Sequence, residues 1–410
     1  MYKLKTNNFS KPQLAIFAIA FALIGGYILI RSLAASNPNL PGDLNNDNTV
    51  NVTDLSILLS NYGTANPTAD INSDGTVNIL DLSALLSHYG QNYTPAVDIN
   101  VLTQFGTSDS AIRSAVSAAK SQGKGLYFPA ATYNYSSKIT LSGLKVHGDG
   151  DTSVLVAATK SSMAITLDGN GTELRSLKIT CPQCELPSGP PTAARLSTGD
   201  SAGVFILPTA TNFVVDHVSV NRAGSAGILD WGGSFGTITN NKIMDTLADC
   251  IHNTNGANNI EVAYNTCTNV GDDMFAVVSY QSDGKQTHDI KIHDNTSDGQ
   301  PWGRGATVVG GYNVQIYNNS ISHTYGAGIY IASEPAYTTY GVSSVTVNNN
   351  TIRSPDQGNI HNANILIWGG ESGFPVTGVS GSGNNLDRLK PGVVYSGTYS
   401  SANIAWSYGN

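Results

Sequence analysis

A short pattern returns through the second half of the chain, and its step length limits what the backbone can build. Two small or polar residues precede alternating apolar ones at Ala202-Gly203-Val204-Phe205-Ile206, Ala226-Gly227-Ile228, Asp249-Cys250-Ile251, Asp273-Met274-Phe275, Arg304-Gly305-Ala306, Ala327-Gly328-Ile329 and Ala363-Asn364-Ile365. Their first residues are separated by 24, 23, 24, 31, 23 and 36 positions. A period near 24 built from short β-rich runs is the signature of a solenoid, in which each coil buries its apolar side only against its neighbours. Stacked in register, the first residues form a column on one face, and that column reads Ala, Ala, Asp, Asp, Arg, Ala, Ala. Charge is confined to three neighbouring coils, with Asp272 beside Asp273 as an extra acid. A purely structural ladder has no need of such clustering.

Alternation within a coil separates inside from outside. Two positions after the column stand Val204, Ile228, Ile251, Phe275, Ala306, Ile329 and Ile365, which are apolar throughout and read as core. The fourth position is mostly Ile or Val, and the first and third read as outward-facing. Asn240-Asn241, Asn258-Asn259, Asn318-Asn319 and Asn348-Asn349-Asn350 fall at turns and read as structural ladders. Charged residues make up 12% of the 410 positions and glycine supplies 43, which suits short strands and tight turns. Ahead of the coils, Ser108 can cap a helix whose Ala111, Ile112, Ala115, Val116 and Ala119 form one apolar stripe and which Gly123 ends. Laid across a solenoid end, it would act as a cap. The expected class is therefore mainly β, a solenoid of stacked coils over 98–410 with an N-terminal helical cap. The net charge is -8 and no basic run follows the N-terminus, so nothing offers itself to nucleic acid.

Residues 14–30 carry no charge, and Lys3, Lys5 and Lys11 precede them. Positions 1–35 thus read as an export segment with its positive end inside. The small residues of Ser32-Leu33-Ala34-Ala35-Ser36 would suit cleavage, and 17 apolar residues reach the lower limit for a membrane span. Cleaved signal and retained membrane anchor both stand, and either puts the rest outside the cytoplasm. Cys181 and Cys184 can then form a local disulfide, whereas Cys250 and Cys267 read as packed thiols.

Between export segment and solenoid, one pattern occurs twice. Asp43, Asn45, Asp47, Thr49, Asn51 and Asp54 are followed by Leu55, Leu58 and Leu59, and Asp70, Asn72, Asp74, Thr76, Asn78 and Asp81 by Leu82, Leu85 and Leu86. Oxygen donors at loop positions 1, 3, 5, 9 and 12, with the carbonyl of position 7, suit two calcium ions. Gly75 takes the sharp-turn position and Asn48 replaces it in the first loop; Val50 and Val77 are placed to pair the loops. This duplication over 40–92 resembles a dockerin, a module that binds cohesin domains in a calcium-dependent way and attaches carbohydrate-active enzymes to scaffolds. In that family loop positions 10 and 11 carry partner recognition. Here they are Val52-Thr53 and Ile79-Leu80, and the halves differ.

The opening of the third segment, helix then Tyr127-Phe128-Pro129-Ala130-Ala131-Thr132-Tyr133, resembles the pectate-lyase-like right-handed parallel β-helix proteins. Leu247-Ala248-Asp249, Gly271-Asp272-Asp273 and Gly303-Arg304-Gly305 resemble, in order, three motifs of the polygalacturonase family. That resemblance implies inverting hydrolysis by three acids, with Asp273 as acid and Asp249 and Asp272 activating water. The family has His where this chain has Arg304, and Gly328-Ile329-Tyr330 replaces its uronate-binding cations, which points to a neutral glycan. Nothing in the hydrolase chemistry calls for a cofactor. His252, Tyr280, Trp302, Tyr330 and Glu334, with Trp231 and Trp368, are candidates for the sugar-facing surface. Two other readings use the same residues: a lyase with Arg304 as base and Lys285 nearby, and a non-catalytic glycan-binding or adhesin β-helix.

Overall fold

The structure, a computed structural model, describes residues 40–91, 97–299 and 302–409, apart from 46, 48 and 73. The export segment, the turn position of Asn48 and the linker ending at Pro95 lie outside the described residues. Among the described residues no helix is long and apolar enough to cross a membrane. The chain divides into two compact units between Ala96 and Val97.

The first unit holds two short helices, Val52–Ser60 and Ile79–Ser87. Each starts with a reciprocal cap, Asn51 with Asp54 and Asn78 with Asp81, in which side chain and backbone satisfy one another's free N–H groups. Leu58 and Leu85 are buried with Val50 and Val77, while Leu59 and Leu86 are exposed, so the leucine triplet of each helix is split between core and surface. The valines do not pair with each other. Val50 bonds to Gly90 and Gln91 beyond the second helix, and Val77 to Gly63 and Thr64 beyond the first. Each half thereby holds the far end of the other.

The second unit is a parallel β-helix. Its capping helix, Asp109–Gln122, begins where the Ser108 hydroxyl accepts the Ala111 N–H at 3.2 Å and ends at Gly123 in the left-handed region, φ 61°. The five residues of the apolar stripe are all buried. A ten-stranded parallel sheet follows the repeat found in the sequence, running from Ile139–Ser142 to Val393–Gly397. Val204, Ile228, Ile251, Phe275, Ala306, Ile329 and Ile365 are consecutive partners in its register and are buried without exception. The steps of 31 and 36 residues leave this register intact, because the extra residues are expelled as loops.

Two inside–outside assignments are corrected. The first position after the column faces in, with Cys250 and Met274 in the main core. The third position is covered: Ala276, Thr307, Tyr330 and Leu366 are all buried, and Ala276, Tyr330 and Leu366 join a second apolar cluster. Cys250 and Cys267 are likewise not free thiols. Both point into the core with Cα atoms 6.0 Å apart and form a disulfide, as do Cys181 and Cys184.

A ladder of asparagines climbs one corner. Asn241, Asn265, Asn295, Asn319 and Asn350 each pass a side-chain N–H to the Oδ1 of the next, ending at Asn384, at 2.9–3.0 Å, and all six donate another to a carbonyl of a neighbouring coil. Asn258 and Asn259 stand in a strand outside it. Asn295→Ala removes one link and strands buried partners on both sides, so it should cost about 1–3 kcal/mol. Urea unfolding should show that loss, while Ser320→Ala, at an exposed strand position, should leave the midpoint nearly unmoved.

Candidate active site

The column residues stand just before the strands of the ten-stranded sheet, where the chain turns into each coil. Register brings Asp249 and Asp273 to neighbouring coils, tied by Cys250 N–H donating to the Asp273 carbonyl at 2.9 Å. Asp272 joins them because the turn before Asp273 projects it to the same side. One carboxylate oxygen from each of the three lies within 4.8 Å of the others. Gly303, at φ 94°, passes against the Asp272 backbone, where any Cβ would collide. The acids line a groove of about 370 Å³ with Trp231, His252, Tyr280, Trp302, Arg304 and Glu334.

Each acid has its own counter-ion. His252 Nδ1 lies 3.0 Å from Asp249 Oδ2. Asp272 pairs with Arg195. Asp273 accepts the Arg304 backbone N–H at 2.7 Å, and the Arg304 Nε lies 3.1 Å away. These partners separate the three proton affinities. Burial pushes the Asp273 carboxyl up to about 8, against the pull of Arg304 and with the added push of Asp272 and Asp249. Asp272 is raised by burial and by Asp249, against Arg304 and Arg195. Burial alone would raise Asp249 too, but the charges of His252 and Arg195 hold it below the ordinary carboxylate value. His252 loses affinity through burial and regains more from Asp249, Asp273 and Asp272, so it keeps its proton above the usual imidazole range.

Other candidates are placed less as expected. Tyr280 and Trp302 line the groove, and Trp302 stacks on Tyr325 with centroids 4.8 Å apart. Trp231 lines it with 39% of its surface open. Tyr330 does not reach the groove. It is 2% exposed, lies under the Arg304 guanidinium at 4.6 Å and donates its hydroxyl to Glu334 at 2.9 Å. Trp368 packs against the same apolar cluster, and Lys285 lies along Gly256 instead of in the groove.

Arg195 escaped the sequence reading altogether. It comes from the segment between the Cys181–Cys184 bridge and the strand Val204–Ile206, 77 residues before Asp272, and its N–H bonds to the Pro191 carbonyl at 3.0 Å. Its only signal was the unusual length of that excursion between coils. Tyr337, also in the groove wall, sits in a loop after Ser333 that carried no pattern.

The loops of the first unit fit calcium by their donor set. Asp43, Asp47 and Asp54 each offer a carboxylate oxygen within 4.8 Å of one another, and Asp43 and Asp54 are fully buried. In the second loop Asp70, Asn72, Asp74 and Asp81 occupy the same loop positions, with Asp81 buried and Asp74 accepting the Asn72 amide at 2.9 Å. Val52, Ile79 and Leu80 at the helix starts are more than half exposed, at 63%, 61% and 58%.

Residues 41–89 match the Dockerin type I domain. No curated protein matches the chain in sequence. Among solved structures, the catalytic domain of a GH87 α-1,3-glucanase in complex with nigerose superposes with a TM-score of 0.61 at 18% identity, covering 77% of this chain and 60% of that one. The catalytic unit of a thermostable GH87 α-1,3-glucanase from Streptomyces thermodiastaticus strain HF3-3 gives 0.54 at 18% identity, over 78% and 70% of the two chains. The Dettilon tailspike protein gives 0.50 at 15% identity, over 75% and 68%. At these identities the likeness establishes the fold, and the chain spans about three-fifths of the first of these proteins. Further structures of the GH87 catalytic domain carry alanine at one of three aspartates, two adjacent and one 23 positions earlier, in complex with nigerose or tetrasaccharides.

A buried acid that holds its proton up to about pH 8, against 3.8 for its ordinary value, penalises the folded state increasingly as pH rises between those limits. Asp273→Asn should therefore unfold a few degrees above wild type at pH 7. The gap should close toward pH 4, which thermal unfolding at the two pH values would reveal.

Proposed function

We propose that the β-helix unit is a glycoside hydrolase acting on an α-1,3-linked glucan outside the cell, carried on a calcium-binding dockerin module. The observation that carries the reading is a spacing. Asp249, Asp272 and Asp273 are separated by 23 residues and by one, as are the three aspartates replaced in the oligosaccharide-bound GH87 structures. The two chains share the fold and the spacing between an acid and an adjacent acid pair.

In this mechanism Asp273, which keeps its proton near neutrality, donates it to the glycosidic oxygen as the C1–O bond breaks. Asp249 and Asp272, which line the same groove, hold a water and take its proton as its oxygen bonds to C1. The products are a free hydroxyl on one sugar and a new reducing end on the other. The acid–base separation is short. Nearest oxygens lie within 4.8 Å, below the roughly 6.5–9.5 Å of a two-carboxylate inverting pair. With a third acid present, the water need not fit between acid and base, because Asp249 and Asp272 can grip it from two sides. We expect inversion, so an α-linked substrate should first release the β-anomer.

The lyase alternative needs an unprotonated base and cations for a uronate. Arg304, lodged beside Asp273 and 3.7 Å from Glu334, is held firmly protonated by those acids against its burial. Arg195 is occupied by Asp272. Calcium enters at the dockerin module, where it would bind the acids of the two loops and stiffen the turns that present Val52, Thr53, Ile79 and Leu80 to a cohesin partner.

On α-1,3-glucan the wild type should generate reducing ends without an ultraviolet-absorbing unsaturated product. Asp273→Asn should lower kcat by about 100- to 10,000-fold while the glucan still binds. Unsaturated sugars, or full activity in Asp273→Asn, would defeat the reading. Chelating calcium should abolish cohesin binding and melt the first unit, seen as loss of helical circular dichroism, with hydrolysis retained.

A further inference from the structure

The two adjacent acids are served by two arginines, but unequally. The ion pair of Arg195 is with Asp272. Arg304 lies between two carboxylates, its Nε 3.1 Å from Asp273 Oδ1 and its Nη2 3.7 Å from Glu334 Oε1. Glu334 is not free to leave. Its Oε1 also accepts the Tyr330 hydroxyl at 2.9 Å, and the Tyr330 ring packs against the Arg304 guanidinium at 4.6 Å and a parallel His361 ring at 5.0 Å. Only 12% of the Glu334 side chain is exposed. An arginine given wholly to one acid favours its ionised form, and an arginine divided between two favours each of them less.

We infer that Glu334 is a positioning residue: by drawing Arg304 partly away from Asp273 it keeps Asp273 in the proton-bearing form, and so assigns the acid's role to Asp273 instead of Asp272. This deepens the hydrolase reading and rests on its placing of Asp273 as proton donor. The other groups around Asp273 do not make that distinction. Asp249 raises Asp272 and Asp273 alike in direction, and His252 is committed to Asp249. Tyr330 keeps its hydroxyl proton, because burial and Glu334 raise it far above neutrality. His361 is pushed down to about 4 by burial and by Arg304, so it is neutral over the working range. Glu334 is therefore the group whose charge decides how Arg304 is divided. Removing it takes away a nearby negative charge and releases Arg304 to Asp273, and both changes favour loss of the Asp273 proton.

The test is the pH dependence of kcat and KM on an α-1,3-glucan oligosaccharide for wild type, Glu334→Gln and Glu334→Asp. In Glu334→Gln the basic limb, where Asp273 loses its proton, should move down by about one pH unit, with KM changed far less. Glu334→Asp, which keeps the carboxylate, should restore the wild-type limb. An unmoved limb with a raised KM would make Glu334 a sugar contact and overturn the proposal. A second measurement needs no turnover: carbon-13 carboxyl resonances of labelled aspartate, with Asp273 assigned from Asp273→Asn. Asp273 should titrate near 8 in wild type and about one unit lower in Glu334→Gln. Identical titrations in the two proteins would also overturn the proposal. A shifted titration in a protein that cleaves no glycan would support it while removing the hydrolase reading.

Discussion

Each coil of the β-helix is hydrogen-bonded to the next along its strands, and a one-residue slip would turn every side chain to the opposite face. Register is therefore set by burial. Val204, Ile228, Ile251, Phe275, Ala306, Ile329 and Ile365 find the interior only in one alignment, and the asparagine ladder fixes the same alignment at the corner. Residues 24 and 31 positions apart in the chain then stand one coil apart in space. Neither Asp249 nor Arg304 needs a local structure of its own to reach Asp273. The scaffold positions them as a by-product of packing its core.

What the scaffold assembles is electrostatically costly. Three carboxylates with oxygens within 4.8 Å cannot all ionise cheaply. The fold answers with cations from three directions: His252 from the same coil as Asp249, Arg304 from the next coil, and Arg195 from a distant loop. The outcome is a set of unlike acids, one depressed and two raised. That spread is what proton transfer in opposite directions requires of a single site. The tailspike likeness shows that this architecture also occurs in a protein of another kind, so the acids and their partners carry the functional argument and the coils do not.

The periodic part of this design was legible before any coordinates. The inward second position of each coil, the capping helix, the duplicated calcium loop and the column of charges all follow from spacing, because solenoids and metal loops repeat. Non-repeating features were not legible. Arg195 lies on an excursion with no period, and only the folded chain brings it across 77 residues to Asp272. Tyr330 reads as a surface aromatic by alternation, but loops roof that face and it becomes the buried support for Arg304 and Glu334. Cys250 and Cys267 resemble ordinary packed thiols because nothing in a sequence reports that two inward side chains face each other. In the first unit Val50 and Val77 were matched to one another by symmetry, while each in fact holds the end of the opposite half.

The central claim is that the three acids address one glycosidic bond from their shared groove. A crystal structure of Asp273→Asn soaked with an α-1,3-linked tetrasaccharide examines it directly. That structure should show a glycosidic oxygen within hydrogen-bonding distance of the substituted side chain and a water held by Asp249 and Asp272 beside the adjoining anomeric carbon. Sugar bound away from these side chains, or a cation drawing the acids together in place of that water, would contradict it.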